Sequence, residues 1–316
     1  MPQTALREVE HDITISAPAA DVYRLLAEVG NWPQIFPPTL HVEQLESTGN
    51  QERIRIWATA GDEAKSWTSR RTLDPVARRI DFRQEVSAPP VASMGGAWII
   101  EELAPEKSRV RLLHDYRAVD DDPEGLAWID RAVDRNSRSE LAALRVNIEQ
   151  VHARRELTFS FEDSVRVDGS AEDVYAFIDE AQLWSERLPH VASVRLEEDT
   201  PGLQTLEMDT RAKDGSTHTT RSYRVCLPHH KIAYKQTTLP ALMTLHTGRW
   251  TFHEEAGTVI ATSQHTVTVN TDNISAVLGP DAGVAEAREY LRGALGANSR
   301  ATLGHAKDHA ERRRRP

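Results

Sequence analysis

Hydrophobic and polar positions follow two periods along this chain, and the two periods alternate in blocks. Between residues 39 and 119, stretches with a period of two are separated by turn residues such as Asp74-Pro75, which predicts six antiparallel strands. A strand over residues 12–16 and a short helix precede them, and a long helix is predicted over residues 123–151. The apolar stripe of the long helix includes Ile129, Val133, Leu144 and Ile148.

The same block occurs twice. Residues 12–23 reappear as residues 164–175, and the match continues without a gap through Trp32 and Trp184 at a constant spacing of 152. Two copies of about 150 residues each are whole domains and are too long for solenoid repeats. Differences between the copies therefore carry information about function.

The repeat predicts an N-terminal domain over residues 1–152 and a C-terminal domain over residues 153–316, with a linker near residues 151–156. Each copy has the order strand, short helix, several antiparallel strands, long helix. The expected fold class is α+β, with a curved antiparallel sheet wrapped around the long C-terminal helix in each of two tandem domains. An apolar cavity between sheet and helix is expected in each domain.

Composition narrows the function classes. The net charge of −10 argues against a nucleic-acid partner, and the run Arg312 to Arg315 is expected to be a solvated tail. A single cysteine, Cys226, cannot form an internal disulfide or a multi-cysteine metal site and fits a reducing compartment. Neither a signal peptide nor a membrane span is recognisable. We therefore expect a cytoplasmic protein without nucleic-acid or membrane partners.

One strand places an arginine among apolar side chains. Trp67, Ser69, Arg71 and Leu73 share one face of the strand at residues 67–73. A buried guanidinium must meet a carboxylate, water or a polar ligand. A structural salt bridge, or a side chain that reaches outward from an edge strand, explains the pattern equally well.

The second copy repeats the pair as Ser222 and Arg224. Thr220 and Cys226 share their face, whereas Tyr223, Val225 and Leu227 lie on the other. The alternation alone leaves the inward face of this strand open.

Other candidate residues also recur in the two copies. The aromatic residues fit a core better than a ligand platform, and His114 fits a core histidine better than a catalytic base. Asn298 has helical spacing with Leu291 and Leu295, although its amide can equally bond to neighbouring backbone. The candidate substrate-binding residues are Trp32, Trp67, Trp98, His114, Asn136, Trp184, Trp250 and Asn298.

Several catalytic motifs are absent from the sequence. We find no glycine-rich phosphate loop, no clustered metal ligands and no Gly-x-Ser-x-Gly motif. The sequence therefore predicts no cofactor and no metal.

Four segments together resemble the aromatase/cyclases of bacterial type II polyketide synthases, which have the helix-grip or START-like fold. They are Ala17-Pro18, Asn31-Trp32-Pro33 with Phe36-Pro37, Trp67-x-Ser69-x-Arg71, and Gly96-Ala97-Trp98. The resemblance spans both copies, so the chain is similar to the didomain subclass of this family. It implies a role in cyclisation for Trp32, Ser69 and Arg71. A pocket tyrosine of the family falls at Thr39 and at Val191, so this role is missing or is filled by another residue.

The resemblance also implies an activity. Didomain members act on a poly-β-ketone that is bound to an acyl carrier protein and reduced at carbon 9. They close the first ring between carbons 7 and 12 by an aldol condensation and then dehydrate it. The implied partners are the acyl carrier protein and other synthase subunits. The alternatives are a non-catalytic carrier of hydrophobic ligands and a scaffold domain.

Overall fold

The computed structural model describes residues 6–60, 63–149, 156–211, 217–255 and 257–314. The chain divides into two compact units, Met1–His152 and Ala153–Pro316. Each unit contains a seven-stranded antiparallel sheet and a long C-terminal helix, which confirms the predicted fold class. Most of the predicted linker lies outside the described residues.

The first domain has the sheet order β1-β7-β6-β5-β4-β3-β2, so the first strand pairs with the last. The long helix packs against β1 and β7. The elements are β1 (Arg7–Ile15), α1 (Ala19–Ala27), α2 (Trp32–Ile35), β2 (Thr39–Thr48), β3 (Gln51–Ala60), β4 (Glu63–Asp74), β5 (Arg79–Gln84), β6 (Val91–Ala104), β7 (Lys107–Ala118) and α3 (Pro123–Glu149).

The second domain repeats this topology with the order β8-β14-β13-β12-β11-β10-β9. Its long helix packs against β8, β14 and the first short helix. The elements are β8 (Thr158–Val167), α4 (Ala171–Asp179), α5 (Trp184–Arg187), β9 (Val191–Thr200), β10 (Leu203–Arg211), β11 (Thr217–Leu227), β12 (Lys231–Thr238), β13 (Met243–Glu255), β14 (Thr258–Val269), α6 (Ile274–Leu278) and α7 (Val284–Arg314).

The core of each domain lies between the concave sheet face and the long helix. In the first domain, the predicted stripe of α3 is buried, and Leu144 packs in one cluster with Val22, Leu26 and Trp98. Burying large apolar side chains of this kind stabilises a domain by about 1.5–3 kcal/mol per residue. The helical and strand periods of the sequence therefore predict which faces meet.

The sequence predicts features of two helix ends, the N-terminus of α4 and the C-terminus of α7. Ser170 caps α4 as predicted, because its hydroxyl accepts a hydrogen bond of 3.1 Å from the backbone N–H of Asp173. The C-terminal arginines are exposed as far as Arg314, as predicted for a solvated tail, but they are helical rather than frayed, since α7 continues to Arg314 and Arg313 Nε lies 2.6 Å from Asp173 Oδ1. Within the described residues, no helix combines the length and the apolar character that a membrane span requires.

Candidate functional site

A pocket of about 130 Å³ opens between the sheet and α7 of the second domain. Its lining includes five of the predicted residues, which are Trp184, Ser222, Arg224, Trp250 and Asn298. The open question on β11 is thereby answered, because Ser222 and Arg224 face the pocket and Tyr223 lies on the opposite face. Drug-sized ligands usually occupy 300–1,000 Å³, so this space accepts one segment of a long chain.

Arg224 is held at the end of the short helix α4. Its Nη2 donates to the carbonyl of Ile178 at 2.6 Å, and its Nη1 donates to the carbonyl of Asp179 at 3.3 Å. Nη1 also donates to Gln204 Oε1 at 2.8 Å, and the guanidinium lies 5.2 Å from the ring centre of Trp184. Carbonyls at a helix C-terminus carry partial negative charge. They compensate part of the buried positive charge.

Arg71 has the same place in the first domain. It donates to the carbonyls of Leu26 and Ala27 at 3.2 and 3.4 Å, and it lies 5.2 Å from the ring centre of Trp32. Here Glu52 stands where the second domain has Gln204, and its Oε1 is 3.1 Å from Arg71 Nε. Arg71 is only 3% exposed, and burial lowers its pKa to about 10. The structural salt bridge is therefore realised, and the positive charge is partly neutralised before any ligand arrives.

The remaining first-domain candidates have mainly structural surroundings. The hydroxyl of Ser69 donates to the backbone carbonyl of Arg83 at 3.0 Å. Trp67 packs on Ile54 and Ile56, and Trp98 belongs to the main core.

Asn136 is exposed on α3, so the prediction that it contributes to a substrate pocket is wrong. The inward position is the next residue, Ser137, which is 1% exposed. A one-residue step along a helix turns a side chain by about 100°, because a turn contains 3.6 residues.

The pocket also contains a cluster of polar side chains that the sequence analysis missed. His265 Nδ1 lies 2.8 Å from Tyr234 Oη and 2.9 Å from His246 Nε2. On its other side, His265 Nε2 lies 2.6 Å from the hydroxyl of Ser299. His246 Nδ1 lies 2.9 Å from Gln236 Oε1. Burial lowers the pKa of His246 to about 3 and that of His265 to about 4, so both imidazoles are neutral at pH 7.

Two glycines align this cluster with its first-domain counterpart. Gly248 pairs with Tyr234 on one side and with His265 on the other, just as Gly96 pairs with Phe82 and His114. A Cβ at Gly248 would lie 2.3 Å from Tyr234 Oη, so only glycine lets the phenol cross this strand.

The counterpart in the first domain is apolar at two of these four positions. Phe82 stands in place of Tyr234, and Met94 stands in place of His246. Among the described residues, neither His114 Nδ1 nor the Ser137 hydroxyl has a hydrogen-bond partner. Burial lowers the pKa of His114 to about 4, so this side chain is a neutral core histidine.

Glu140 is a second residue that the sequence analysis missed. It lies on α3, one turn after Ser137, and is half-buried. Burial raises the pKa of its carboxyl to about 7. A group with this pKa can exchange protons near neutral pH.

A larger groove lies on the opposite, convex face of the first-domain sheet. Its arginines are paired with carboxylates: Arg79 Nε lies 2.9 Å from Asp81 Oδ2, and Arg83 Nη2 lies 2.7 Å from Asp115 Oδ2. Exposed pairs of this kind contribute little to binding or stability. In the described parts of the chain, no group of three or more His, Cys, Asp or Glu side chains is placed to hold a metal ion.

Comparison with known proteins finds relatives of both domains. Residues 15–145 and residues 158–311 each match a family model described as polyketide cyclase/dehydrase and lipid transport. The chain belongs to the polyketide cyclase/dehydrase family.

Two curated relatives match over nearly the whole length. The granaticin polyketide synthase bifunctional cyclase/dehydratase of Streptomyces virginiae is 56% identical, with 93% of this chain and 97% of the relative covered. The actinorhodin polyketide synthase bifunctional cyclase/dehydratase of Streptomyces coelicolor is 46% identical, with 97% and 98% covered.

Two crystal structures share the tandem architecture of this polyketide cyclase/dehydrase. The di-domain ARO/CYC BexL from the BE-7585A biosynthetic pathway is 68% identical, with a TM-score of 0.90 over 98% of this chain and 100% of that chain. The di-domain ARO/CYC StfQ from the steffimycin biosynthetic pathway is 36% identical, with a TM-score of 0.89 over 96% and 99%. The predicted family and didomain organisation are confirmed.

A signal for the missed cluster was present in this polyketide cyclase/dehydrase sequence. Aligning the copies places Tyr234 on Phe82 and His246 on Met94, both exchanges of an apolar for a polar side chain on an inward strand face. A polar side chain that enters a core position in one copy only marks a difference in chemistry. The roles of the individual pocket residues stay predictions.

Proposed function

We propose that this protein closes and dehydrates the first ring of a ketoreduced poly-β-ketone tethered to an acyl carrier protein. The ring forms by an aldol reaction between carbons 7 and 12, the regiochemistry implied by the resemblance to didomain aromatase/cyclases. The supporting observation is the lining of the second-domain pocket, where Trp184 and Trp250 lie beside Ser222, Arg224 and the histidine cluster. Such a lining suits a chain that carries an oxygen on alternate carbons.

The reaction needs a shaped pocket and proton transfer. A base removes a proton from a methylene between two carbonyls, and the resulting enolate attacks a second carbonyl to form the C–C bond. The alkoxide so formed takes up a proton. Loss of that hydroxyl with an adjacent proton releases water and leads to the aromatic ring. Hydrogen-bond donors that face the developing oxyanion lower the barrier, and the walls hold the chain in a reactive fold.

The polyketide reaches the pocket on its carrier protein, in the cytoplasm, together with other synthase subunits. Carrier proteins of this kind are acidic, whereas this chain has a net charge of −10. Attraction must therefore be local and weak. We expect carrier affinity to fall as salt rises, and an affinity that is constant over a wide salt range would contradict an electrostatic docking site.

Reconstitution tests the proposal directly. The minimal synthase, the ketoreductase and the carrier protein are incubated with and without this protein, and the products are compared by mass and by NMR. We expect the regiospecific first-ring product only when the protein is present. An unchanged product mixture would contradict the proposal.

A non-catalytic carrier remains the second candidate, because the matching family description includes lipid transport. The same reconstitution distinguishes the two. A carrier would change the yield in proportion to its own concentration, whereas an enzyme forms many equivalents of product per protein molecule.

A further inference from the structure

We propose that Ser299, His265 and Tyr234 form a proton relay in the second-domain pocket and that this relay carries out the dehydration half of the reaction. The inference rests on the proposed function and goes beyond it, because it assigns one chemical step to one domain. None of the three residues belongs to the arginine–serine–tryptophan set that the family resemblance implies.

We assign the cluster a single direction of donation, in which His265 Nδ1 donates to Tyr234 Oη at 2.8 Å rather than to His246 Nε2 at 2.9 Å. Gln236 Oε1 is an acceptor, so His246 donates to it from Nδ1 and its Nε2 is an acceptor. Tyr234 Oη, at 3.4 Å, donates to His246 Nε2 and accepts from His265 Nδ1 at 2.8 Å. His265 Nε2 is then an acceptor, and the Ser299 hydroxyl donates to it at 2.6 Å.

Ser299, the first residue of the relay, also accepts a hydrogen bond. The hydroxyl of Ser263 lies 3.2 Å from His265 Nε2 and 3.3 Å from Ser299 Oγ. Ser299 holds the much shorter contact with His265 Nε2, so Ser263 donates to Ser299 and Ser299 donates onward to His265. Each of Ser299, His265 and Tyr234 thus accepts one hydrogen bond and donates another. Groups with both capacities in one line can pass a proton along without any of them gaining a lasting charge.

A relay without net charge suits this buried place. His246, His265 and Ser299 are each no more than 4% exposed, and all three line the pocket with Tyr234. Burial depresses the pKa values of both imidazoles and raises that of the Tyr234 phenol. A free imidazolium or phenolate is therefore costly here. Concerted transfer avoids both ions.

The dehydration balances through this chain. Ser299 Oγ takes the proton from the carbon next to the ring carbonyl while its own proton passes to His265 Nε2. His265 releases its Nδ1 proton to Tyr234 Oη, and Tyr234 gives its proton to the departing hydroxyl. The C–H and C–O bonds break, a C=C bond forms, water leaves, and each relay residue ends with one proton. His265 then carries its proton on Nε2, and proton exchange with the water that replaces the product returns it to Nδ1. His246 and Gln236 position Tyr234 between turnovers.

The first domain cannot run this relay. Phe82 lacks the hydroxyl of Tyr234, and Met94 lacks the imidazole of His246. His114 and Ser137 remain at the other two positions, yet the Ser137 hydroxyl has no hydrogen-bond partner among the described residues. The proton pathway is therefore a property of the second domain.

Tyr234→Phe gives the second domain the residue of the first and removes one oxygen. In the reconstituted system we expect dehydration to slow by about 10²-fold or more, the usual size of a lost proton-transfer group. A cyclised product that retains one molecule of water should accumulate, as measured by mass spectrometry. Ser299→Ala should give the same intermediate. Tyr175→Phe is the matched control, because Tyr175 is a buried tyrosine of the same domain that does not line the pocket.

The outcomes separate the relay from the proposed function. If Tyr234→Phe, with wild-type circular dichroism, forms the dehydrated product at the wild-type rate, the relay is wrong and the cyclase function stands. If the wild-type protein itself gives no first-ring product, the proposed function fails.

A second measurement needs no substrate. ¹⁵N NMR of the imidazoles should find neutral His265 and His246, each protonated on Nδ1, and His246→Met should shift the His265 nitrogen signals. A proton on His265 Nε2 would reverse the direction of donation and overturn the relay.

Discussion

The two domains hold the same arginine–tryptophan pair at the same helix end, but they surround it with different chemistry. In the first domain the arginine has a carboxylate partner in Glu52, whereas in the second it has the neutral amide of Gln204. The strands beside it carry Phe82 and Met94 in the first domain but Tyr234 and His246 in the second. The two domains therefore share the arginine that binds the end of the short helix and differ in the residues around it.

In both domains the arginine has a structural role besides any role in catalysis. Arg71 and Arg224 both bind the last carbonyls of the short helix, which are among the groups that a helix leaves without partners. Each arginine thus fixes the end of the short helix that precedes the tryptophan. A substitution there will affect folding and catalysis together, and stability must be measured before activity is interpreted.

The largest difference between the domains is expected from removing each arginine. Arg71→Ala leaves the buried carboxylate of Glu52 without its cationic partner, although Gln44 still donates to it, and should lower the free energy of unfolding by about 3–5 kcal/mol. Arg224→Ala removes the hydrogen-bond donor of two backbone carbonyls and of the Gln204 amide, which are all neutral, and should lower the free energy of unfolding by about 1–3 kcal/mol. Chemical denaturation measures both. Equal losses would mean that the carboxylate makes no difference.

Activity of the same variants sharpens the assignment. Arg71→Lys should recover only part of the activity lost in Arg71→Ala, because one ammonium cannot take the place of both Nη2, which binds the two carbonyls, and Nε, which faces Glu52. If Arg71→Ala stays folded and forms dehydrated product at the wild-type rate while Arg224→Ala does not, the second domain alone carries the chemistry.

Acid should destabilise the second domain through its two buried imidazoles. Their pKa values in the folded protein, about 3 and about 4, lie below the ordinary 6.5. The unfolded chain therefore binds protons from pH 6.5 downward, which the folded chain does not, and stability falls as pH drops from 6.5 toward 4. The slope is at most about 1.4 kcal/mol per pH unit for each imidazole.

Carboxylates also change the stability of the protein at low pH, and the variant His246→Met separates their contribution from that of the imidazole. Denaturation curves between pH 7 and pH 4.5 should be flatter for the variant than for the wild type. Parallel curves would mean that His246 keeps an ordinary pKa in the folded protein.

Glu140 gives the first domain the opposite pH dependence. Its pKa of about 7 lies above the ordinary 4.5, so the unfolded state releases a proton between these values and stability is lost as pH rises through this range. Glu140→Gln should therefore raise the free energy of unfolding at pH 8 by about 1–3 kcal/mol and change it little at pH 4.5. No gain at pH 8 would show that the carboxyl is ionised without penalty.

The smallest effect is expected from exchanging the side chains beside the two arginines, Glu52 and Gln204. Glu52→Gln gives the first domain the amide of the second, which keeps the size of the side chain and removes its charge, and should cost about 1 kcal/mol. Gln204→Glu is the reciprocal change. If Glu52→Gln costs as much as Arg71→Ala, the amide is not a substitute for the carboxylate in this domain.

Part of the site could have been derived from the sequence and was not. Glu52 and Arg71 are directly opposite in the β3–β4 ladder, and the residue numbers of partners in that ladder have a constant sum. Once both strands are placed, the pairing of the two charges follows. Ser137 shows the limit of sequence patterns on a helix, because they do not fix the rotation of the helix about its axis and therefore do not distinguish Ser137 from the neighbouring Asn136.

The sequence by itself determined the two tandem domains, the order of their strands and helices, and the repeated serine–arginine pair. These are local or repeated signals: periods of two and of 3.6, turn residues, and an ungapped match. Only the tertiary structure decided which face of β11 is inside and brought Tyr234, His246, His265 and Ser299 together from three strands and a helix. Hydrogen bonds among residues far apart in the chain depend on strand register and on the rotation of α7, and both are set when the whole core packs.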